Sequence, residues 1–266
     1  QKINANAELG DTIKVEIHSK EFGRIATQNA KNVILQKIRE EERRILYDQY
    51  YGMEKEVVTG IVQRVMGRNV SVNLGKADGI LSENEQVKGE EFEPTQRIKV
   101  YILEVKETPK GPRILVSRTH PGLVKRLFES EVAEVRDGTV EIKSIAREAG
   151  SRTKIAVWSN DPDVDPVGAC VGMNGARVNS IVEELNGEKI DIINWDENPA
   201  ILIENALSPA KVIAVMADPD EKTALVVVPD YQLSLAIGKE GQNARLAARL
   251  TGFKIDIKSE TQARES

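Results

Sequence analysis

Apolar residues recur at helical spacing through residues 27–51. Ala30, Val33, Ile34, Ile38, Ile45 and Leu46 make one stripe, which predicts a long helix. Ahead of it Ile13, Val15 and Ile17 alternate with polar residues and read as a short strand. The charged run from Arg39 to Arg44 lies between the apolar positions and reads as a solvated face. From Glu56 to Arg118 the period shortens. Residues 57–65, 69–74, 97–105 and 113–117 are rich in Val, Ile and Thr, and Gly67, Gly75, Gly79, Gly89, Pro109 and Pro112 punctuate them. About five short strands in this span fit a small barrel such as an OB-fold, although period and turns alone do not separate it from an SH3-like barrel. Beyond Pro121 the pattern is mixed. His120-Pro121-Gly122 reads as a hinge, Leu123, Leu127 and Phe128 open a helix, and residues 141–146 and 154–158 read as strands.

An internal repeat follows. Residues 165–178 run through Gly172-Met173-Asn174-Gly175, continue to Leu185 and Gly187, and end in Lys189-Ile190-Asp191-Ile192. Residues 229–245 run through Gly238-Lys239-Glu240-Gly241, continue to Leu250 and Gly252, and end in Lys254-Ile255-Asp256-Ile257. The copies lie about 66 residues apart, so each is a domain-sized unit. Both read as acidic cap, short helix, G-x-x-G, amphipathic helix, glycine, then a K-I-D-I strand. Asp165 with Pro166 is a helix start, and Asp230 is the corresponding cap of the second copy. Asn186-Gly187 and Thr251-Gly252 are helix ends. Gly-x-x-Gly makes a tight connection with no β-carbon at either end, so a sugar-phosphate backbone can approach it closely. The helix that follows aims its N-terminal N–H groups at that place, which favours a phosphate.

Composition limits the alternatives. The 266 residues are 40% hydrophobic and 30% charged, enough for packed and soluble domains, but only 4% aromatic, so the cores must be aliphatic. One Cys excludes an internal disulfide and suits a reducing compartment, and one Cys with two distant His gives no zinc cluster. No apolar run of about 18 residues and no signal pattern occurs. The expectation is a cytoplasmic protein and a fragment of a longer chain. The formal net charge of -5 runs against a polyanion partner, since a nucleic-acid-binding domain typically has a pI above about 9. A site is local, however, and net charge is a global sum.

The helix–GxxG–helix–strand unit, with two strands before it, resembles the type II KH domain, whose GxxG loop clamps about four nucleotides. In the second unit residues 209–216 are expected as the first helix and 223–228 as a strand. An S1-like OB barrel followed directly by two such units resembles the NusA family of bacterial transcription elongation factors. Val116-Ser117-Arg118-Thr119-His120-Pro121-Gly122 is similar to that family's S1-to-KH junction, and residues 165–177 and 229–250 are similar to its two KH loops. The segment near Ile13 and the helix ending Ile45-Leu46-Tyr47-Asp48 resemble the last part of its N-terminal domain. The resemblance implies a multidomain α+β chain. Residues 1–53 would be the end of a polymerase-binding N-terminal domain with its connecting helix, 54–120 an S1 (OB-fold) domain, 121–204 the first KH domain and 205–266 the second. It implies binding of single-stranded RNA emerging from RNA polymerase. It also implies contact with the polymerase mainly through the N-terminal domain, and modulation of pausing, termination and antitermination. Other transcription factors are further partners it allows; no membrane, metal or cofactor is expected, and the chain is expected to be a monomer.

The residues expected to hold RNA are Val171, Gly172, Met173, Asn174, Gly175, Ala176 and Arg177 in the first loop. In the second they are Ile237, Gly238, Lys239, Glu240, Gly241, Gln242, Asn243 and Arg245. Backbone N–H groups would hold phosphates and Val171 and Ile237 would wall an apolar groove. Arg177, Lys239, Asn243 and Arg245 would reach phosphates or base edges. Glu240 is a departure, offset by Lys239. On the barrel, Arg64, Arg68, Lys99, Tyr101 and Arg118 are candidate RNA contacts, each also readable as an ordinary surface residue. Trp158 and Trp195 read as packing, and Cys170 as a buried small hydrophobe. Catalysis is not expected. Neither Gly75-Lys76 nor Gly238-Lys239 has P-loop spacing, and His18 and His120 have no evident nucleophile partner. Two alternatives stay open. One is the accessory region of an RNA-processing enzyme, since polynucleotide phosphorylases carry KH and S1 modules, though in the opposite order and with one KH. The other is a pure protein-interaction module.

Overall fold

The structure is a computed structural model that describes Thr12 and residues 23–266. The strand expected around Ile13, Val15 and Ile17, and His18, lie outside the described residues. The chain divides into two compact units, one of residues up to Glu83 with Phe92–Ser117, the other of Asn84–Glu91 with Arg118–Ser266.

In the first unit the expected helix is α1 (Arg24–Tyr51). Its C-terminal end is fixed to a barrel: Tyr50 is buried, its hydroxyl donates to the Leu74 carbonyl at 3.1 Å and accepts from the Lys76 N–H at 3.0 Å. The charged run is less solvated than its pattern suggests, because Glu41 is buried between Lys37 and Arg44. The barrel is closed in the order β1-β2-β3-β5-β4 by β1 (Val57–Met66), β2 (Asn69–Asn73), β3 (Asp78–Leu81), β4 (Arg97–Thr108) and β5 (Gly111–Ser117). Only β3 and β5 pair in parallel. Register shifts between Val62 and Arg64 and between Ile102 and Glu104 bend the two longest strands, as closure requires. Five strands in this order make an OB barrel. Its core is aliphatic, with Val62, Val72, Leu81, Val100, Ile102, Ile114 and Val116 at its centre.

The second unit opens with α2 (Pro121–Glu131) and α3 (Ala133–Arg136), then β6 (Val140–Glu148), β7 (Arg152–Ser159), α4 (Pro166–Val171), α5 (Ala176–Glu184) and β8 (Lys189–Asn194). It continues with α6 (Pro199–Ala206), β9 (Ala214–Asp218), β10 (Thr223–Val228), α7 (Leu233–Ile237), α8 (Gln242–Thr251), β11 (Lys254–Ser259) and α9 (Glu260–Glu265). The two three-stranded sheets are alike. β7 pairs antiparallel with β6 and parallel with β8, and β10 pairs antiparallel with β9 and parallel with β11.

Four expectations change. His120-Pro121-Gly122 is a helix start rather than a hinge: His120 Nδ1 accepts from the Gly122 N–H at 2.9 Å and Pro121 takes the first helical position. Residues 209–216 are not a helix. The helix lies earlier, at α6, where Asn198 caps Pro199 onward, and Ala214–Asp218 is a strand. Asp165 stands at the N-cap of α4 but makes no side-chain cap bond. Asp230 does not cap its own helix, since it accepts from the Thr261 N–H and hydroxyl at the start of α9.

The two repeats are joined by one core. β7 is buried on both faces, with Ile155, Ala156 and Val157 all inaccessible. Leu123, Leu127 and Phe128 of α2, Cys170 of α4 and Ile181 of α5 are also buried, with α4 packed on β7 and α2 on β6 and α5. Ala146, Ala156 and Ile193 instead pack in one cluster with Ile203 and Leu207 and with Leu246, Ala247 and Leu250 of α8. Two ion-pair networks complete the unit. Arg147 and Glu188 are both buried; Glu188 accepts from Arg147, the Thr153 hydroxyl and the Gly150 N–H, so the pair is fully bonded. Arg118, 1% exposed, pairs with Glu90 at 2.6 Å and Glu184 at 3.3 Å.

Two outcomes follow for stability. Arg118→Ala strands the buried Glu90 carboxylate and is expected to cost about 3–5 kcal/mol, read as a lowered urea midpoint. His120 gives a pH dependence. Burial holds its imidazole below the ordinary value, with Arg147 assisting and Glu85 opposing. The unfolded chain therefore takes the proton first. The cap's contribution is full above about pH 6.5 and is lost as pH falls through the lower folded value. His120→Asn, which caps without titrating, should abolish that portion of the loss in urea midpoint between pH 7.5 and 5.

Candidate nucleic-acid interface

The two GxxG loops have the same backbone. Gly172 lies at φ 78°, ψ 173° and Gly238 at φ 80°, ψ 172°. Asn174 and Glu240 share φ 55°, and Gly175 and Gly241 lie at φ 74° and 77°. The first glycine of each loop occupies a region open only to glycine. It also packs hard against the helix that follows. A β-carbon on Gly172 would lie 2.8 Å from Arg177 Cγ, and one on Gly238 would lie 2.7 Å from the Asn243 backbone nitrogen. Each loop therefore delivers the chain directly into the first turn of α5 or α8; the N–H groups of Gly175 and Ala176, and of Gly241 and Gln242, donate to carbonyls of their own loop. Met173, Asn174, Lys239 and Glu240 project outward and are exposed, Met173 to 85%.

The expected cations differ in availability. Lys239 is exposed and, among the described residues, makes no ion pair. Arg177 is half-buried, its Nη1 donating to Glu134 and to the Ala169 carbonyl, each at 2.7 Å. Hydrogen bonding from its own backbone N–H and from Arg177 holds the Glu134 carboxyl below its usual value. Arg245 pairs with Glu148 at 2.6 Å and donates to the Glu240 carbonyl at 3.0 Å. Gln242 donates to the Ser151 hydroxyl at 2.6 Å. These last two side chains thus tie α8 to the β6–β7 turn of the first repeat. Asn243 is buried, and its amide donates to the Leu207 and Ala236 carbonyls at 3.0 and 2.9 Å. Both its amide protons are used inside the fold, so the side chain has none left for a phosphate.

Val171 is half-buried and Ile237 is 37% exposed, each immediately before its loop. A groove lies elsewhere. A cleft of about 520 Å³ runs between α4, β8 and the segment after α6. Val167 and Ile192 give it apolar surface, and Asn194, Asn205, Ser208, Lys211 and the carboxylate-bearing Glu204 give it polar and charged groups. Lys211 is exposed beside it. One wall thus comes from the first repeat and the other from the segment that opens the second. Neither Asn205, within α6, nor Lys211, in the span 209–216 that reads as a helix, stands in a sequence motif.

On the barrel, Arg64 and Arg68 are exposed on or beside β1, and Lys99 is half-buried. Arg68 lies 3.5 Å from Glu83. Two candidates are corrected. Tyr101 is 7% exposed, so its ring cannot stack on a base. Arg118 is buried in its ion pairs within the second unit. Trp158 and Trp195 meet edge to face at 5.7 Å, with the Lys143 ammonium 5.2 Å from the Trp195 ring centre, in keeping with a packing role. Burial pushes the Cys170 thiol up to about 11. Among the described residues no cluster able to hold a metal ion occurs, and no helix is long and apolar enough to cross a membrane.

Comparison with known proteins gives four family matches in chain order. The NusA N-terminal domain model matches residues 1–44 and the S1 RNA binding domain model residues 52–117. The NusA-like first and second KH domain models match residues 118–195 and 199–265. The chain is similar to the transcription termination/antitermination protein NusA of Bacillus subtilis, at 58% identity over all of this chain and 71% of that protein. It is 57% identical to the Halalkalibacterium halodurans protein of the same name over 99% and 69%, and 46% identical to that of Thermus thermophilus over 93% and 64%.

The loop geometry has a direct consequence. Gly172→Ala and Gly238→Ala should each lower stability by about 1–3 kcal/mol, with Gly238→Ala the costlier because its clash is with backbone. Gly175→Ala should cost only about 1 kcal/mol. Urea midpoints with unchanged slope would check this ranking.

Proposed function

The chain belongs to the NusA family of RNA-binding transcription termination/antitermination factors, and from that premise we propose how its own residues hold RNA. Single-stranded RNA lies across both GxxG loops. Backbone N–H groups of Met173, Asn174, Lys239 and Glu240, with the first turns of α5 and α8, hold phosphates. Lys239 and Lys211 supply mobile positive charge, and the cleft between α4, β8 and the end of α6 takes a base. Arg177, Gln242, Asn243 and Arg245 act mainly by holding the loops in shape. The supporting observation is the identity of the two loop backbones, down to the left-handed Asn174 and Glu240. A glutamate is poorly suited to that conformation; its presence there marks the loop shape as the feature both repeats keep.

The role is binding without chemistry. On the barrel we propose a secondary RNA surface around Arg64, Arg68 and Lys99. The division into barrel, first KH unit and second KH unit is proposed to begin the last unit at α6, because α6 packs on α8 and β9. We further propose that the protein acts, in the cytoplasm, on RNA polymerase pausing through the nascent transcript it holds.

The test is a titration of fluorescent single-stranded RNA of about a dozen nucleotides at two salt concentrations. Binding should weaken as salt rises, by a slope of about -0.7 per phosphate held. Met173→Asp with Asn174→Asp, and Lys239→Asp, should each weaken binding about tenfold or more while circular dichroism stays unchanged. Glu240→Asn should strengthen it several-fold, because it removes a like charge from the clamp and suits the left-handed backbone. Folded loop variants that bind as the parent does would make the loops structural and favour a protein partner.

A further inference from the structure

We propose that Lys154 is a positioning residue that sets the register between the two GxxG loops, by joining the central strand of the first repeat to the corner that follows α6. The inference rests on the reading that RNA spans both loops. Lys154 stands in the middle of β7 with its side chain fully buried. Its ammonium donates to the Ser208 carbonyl at 2.7 Å and lies 3.1 Å from Asp191 on β8. Ser208 closes the C-terminal end of α6, where carbonyls lack helical partners and a cation is favoured. The preceding carbonyl, Leu207, accepts from Asn243, and the same amide donates to Ala236 at the end of α7. Asn243 is also the residue against which Gly238 packs. Two directional links therefore lead from β7 of the first repeat to the second loop.

Stability alone does not account for an ammonium there. A buried charge is costly to desolvate, and apolar residues of similar size commonly replace buried ion pairs without loss. The surrounding contact of Ala146, Ala156 and Ile193 with α8 is apolar and non-directional, so it holds the repeats together without fixing how α8 slides. The bond to Ser208 is directional. Arg245 with Glu148 and Gln242 with Ser151 tie the start of α8 to the β6–β7 turn; the Lys154 bond adds a second fixed point, at the end of α6, and the two together set the spacing of the loops.

The experiment uses the full chain and RNAs of two tetra-adenylate blocks joined by zero to six abasic spacers, with a single block as reference. A rigid pair of loops gives the parent an affinity maximum at one spacer length, about 100-fold above the single block. Lys154→Met should keep the single-block affinity and lose the maximum, leaving a profile flat within about threefold. Asp191→Asn, which frees the ammonium from its counter-charge, should broaden the maximum in the same direction, and it decides the matter if Lys154→Met fails to fold. A folded Lys154→Met with the parental maximum, or in its absence an Asp191→Asn with the parental maximum, overturns the proposal. A parent that gains nothing from the second block overturns the two-loop reading itself, and the role of Lys154 with it.

Discussion

The second unit depends on one packing constraint: β7 is covered on both faces, and part of its cover is α8 of the other repeat. A three-stranded sheet with one helical layer would leave Ala146, Ala156 and Ile193 against water. Here they join Ile203, Leu207, Leu246 and Ala247 in a single apolar cluster. Since α8 begins at the second GxxG loop, burying that helix also brings the loop to the first repeat. The small residues at 146, 156 and 247 let the backbone of α8 approach the sheet closely. The core that stabilises the fold is therefore the same object that arranges the two loops.

Polar contacts then refine what apolar contacts cannot specify. Arg245 with Glu148 and Gln242 with Ser151 hold the N-terminal turn of α8 on the β6–β7 turn. That turn is itself held by Glu188, which accepts from the Gly150 N–H. An overall net charge of -5 is thus compatible with a phosphate-binding surface. Much of the negative charge near the loops, Glu134 and Glu148 included, is engaged by arginines, while Lys239 is exposed.

The repeat was the most legible feature because its glycines answer to backbone geometry, which a sequence records directly. Gly172, Gly175, Gly238 and Gly241 all fall at positive φ, and the K-I-D-I segments are both strands. The barrel was legible as short strands, but its closure order depends on pairings that period cannot reveal. What escaped was tertiary. Asn243, Gln242 and Arg245 look like ligands by their place after the loop, yet their partners lie 36, 91 and 97 residues away in sequence. Arg118 and Tyr101 look exposed by type and are buried by context. Residues 209–216 read as a helix, whereas the helix starts at Pro199 behind the Asn198 cap.

The two loops are proposed to bind RNA as a pair. The most direct measurement is backbone amide NMR during titration with a single-stranded dodecamer. The N–H signals of Met173–Ala176 and Lys239–Gln242 are expected to shift together and saturate at one equivalent of RNA, with Lys211 and Asn205 moving in step. Shifts confined to the barrel, or two loops saturating at separate concentrations, would contradict it.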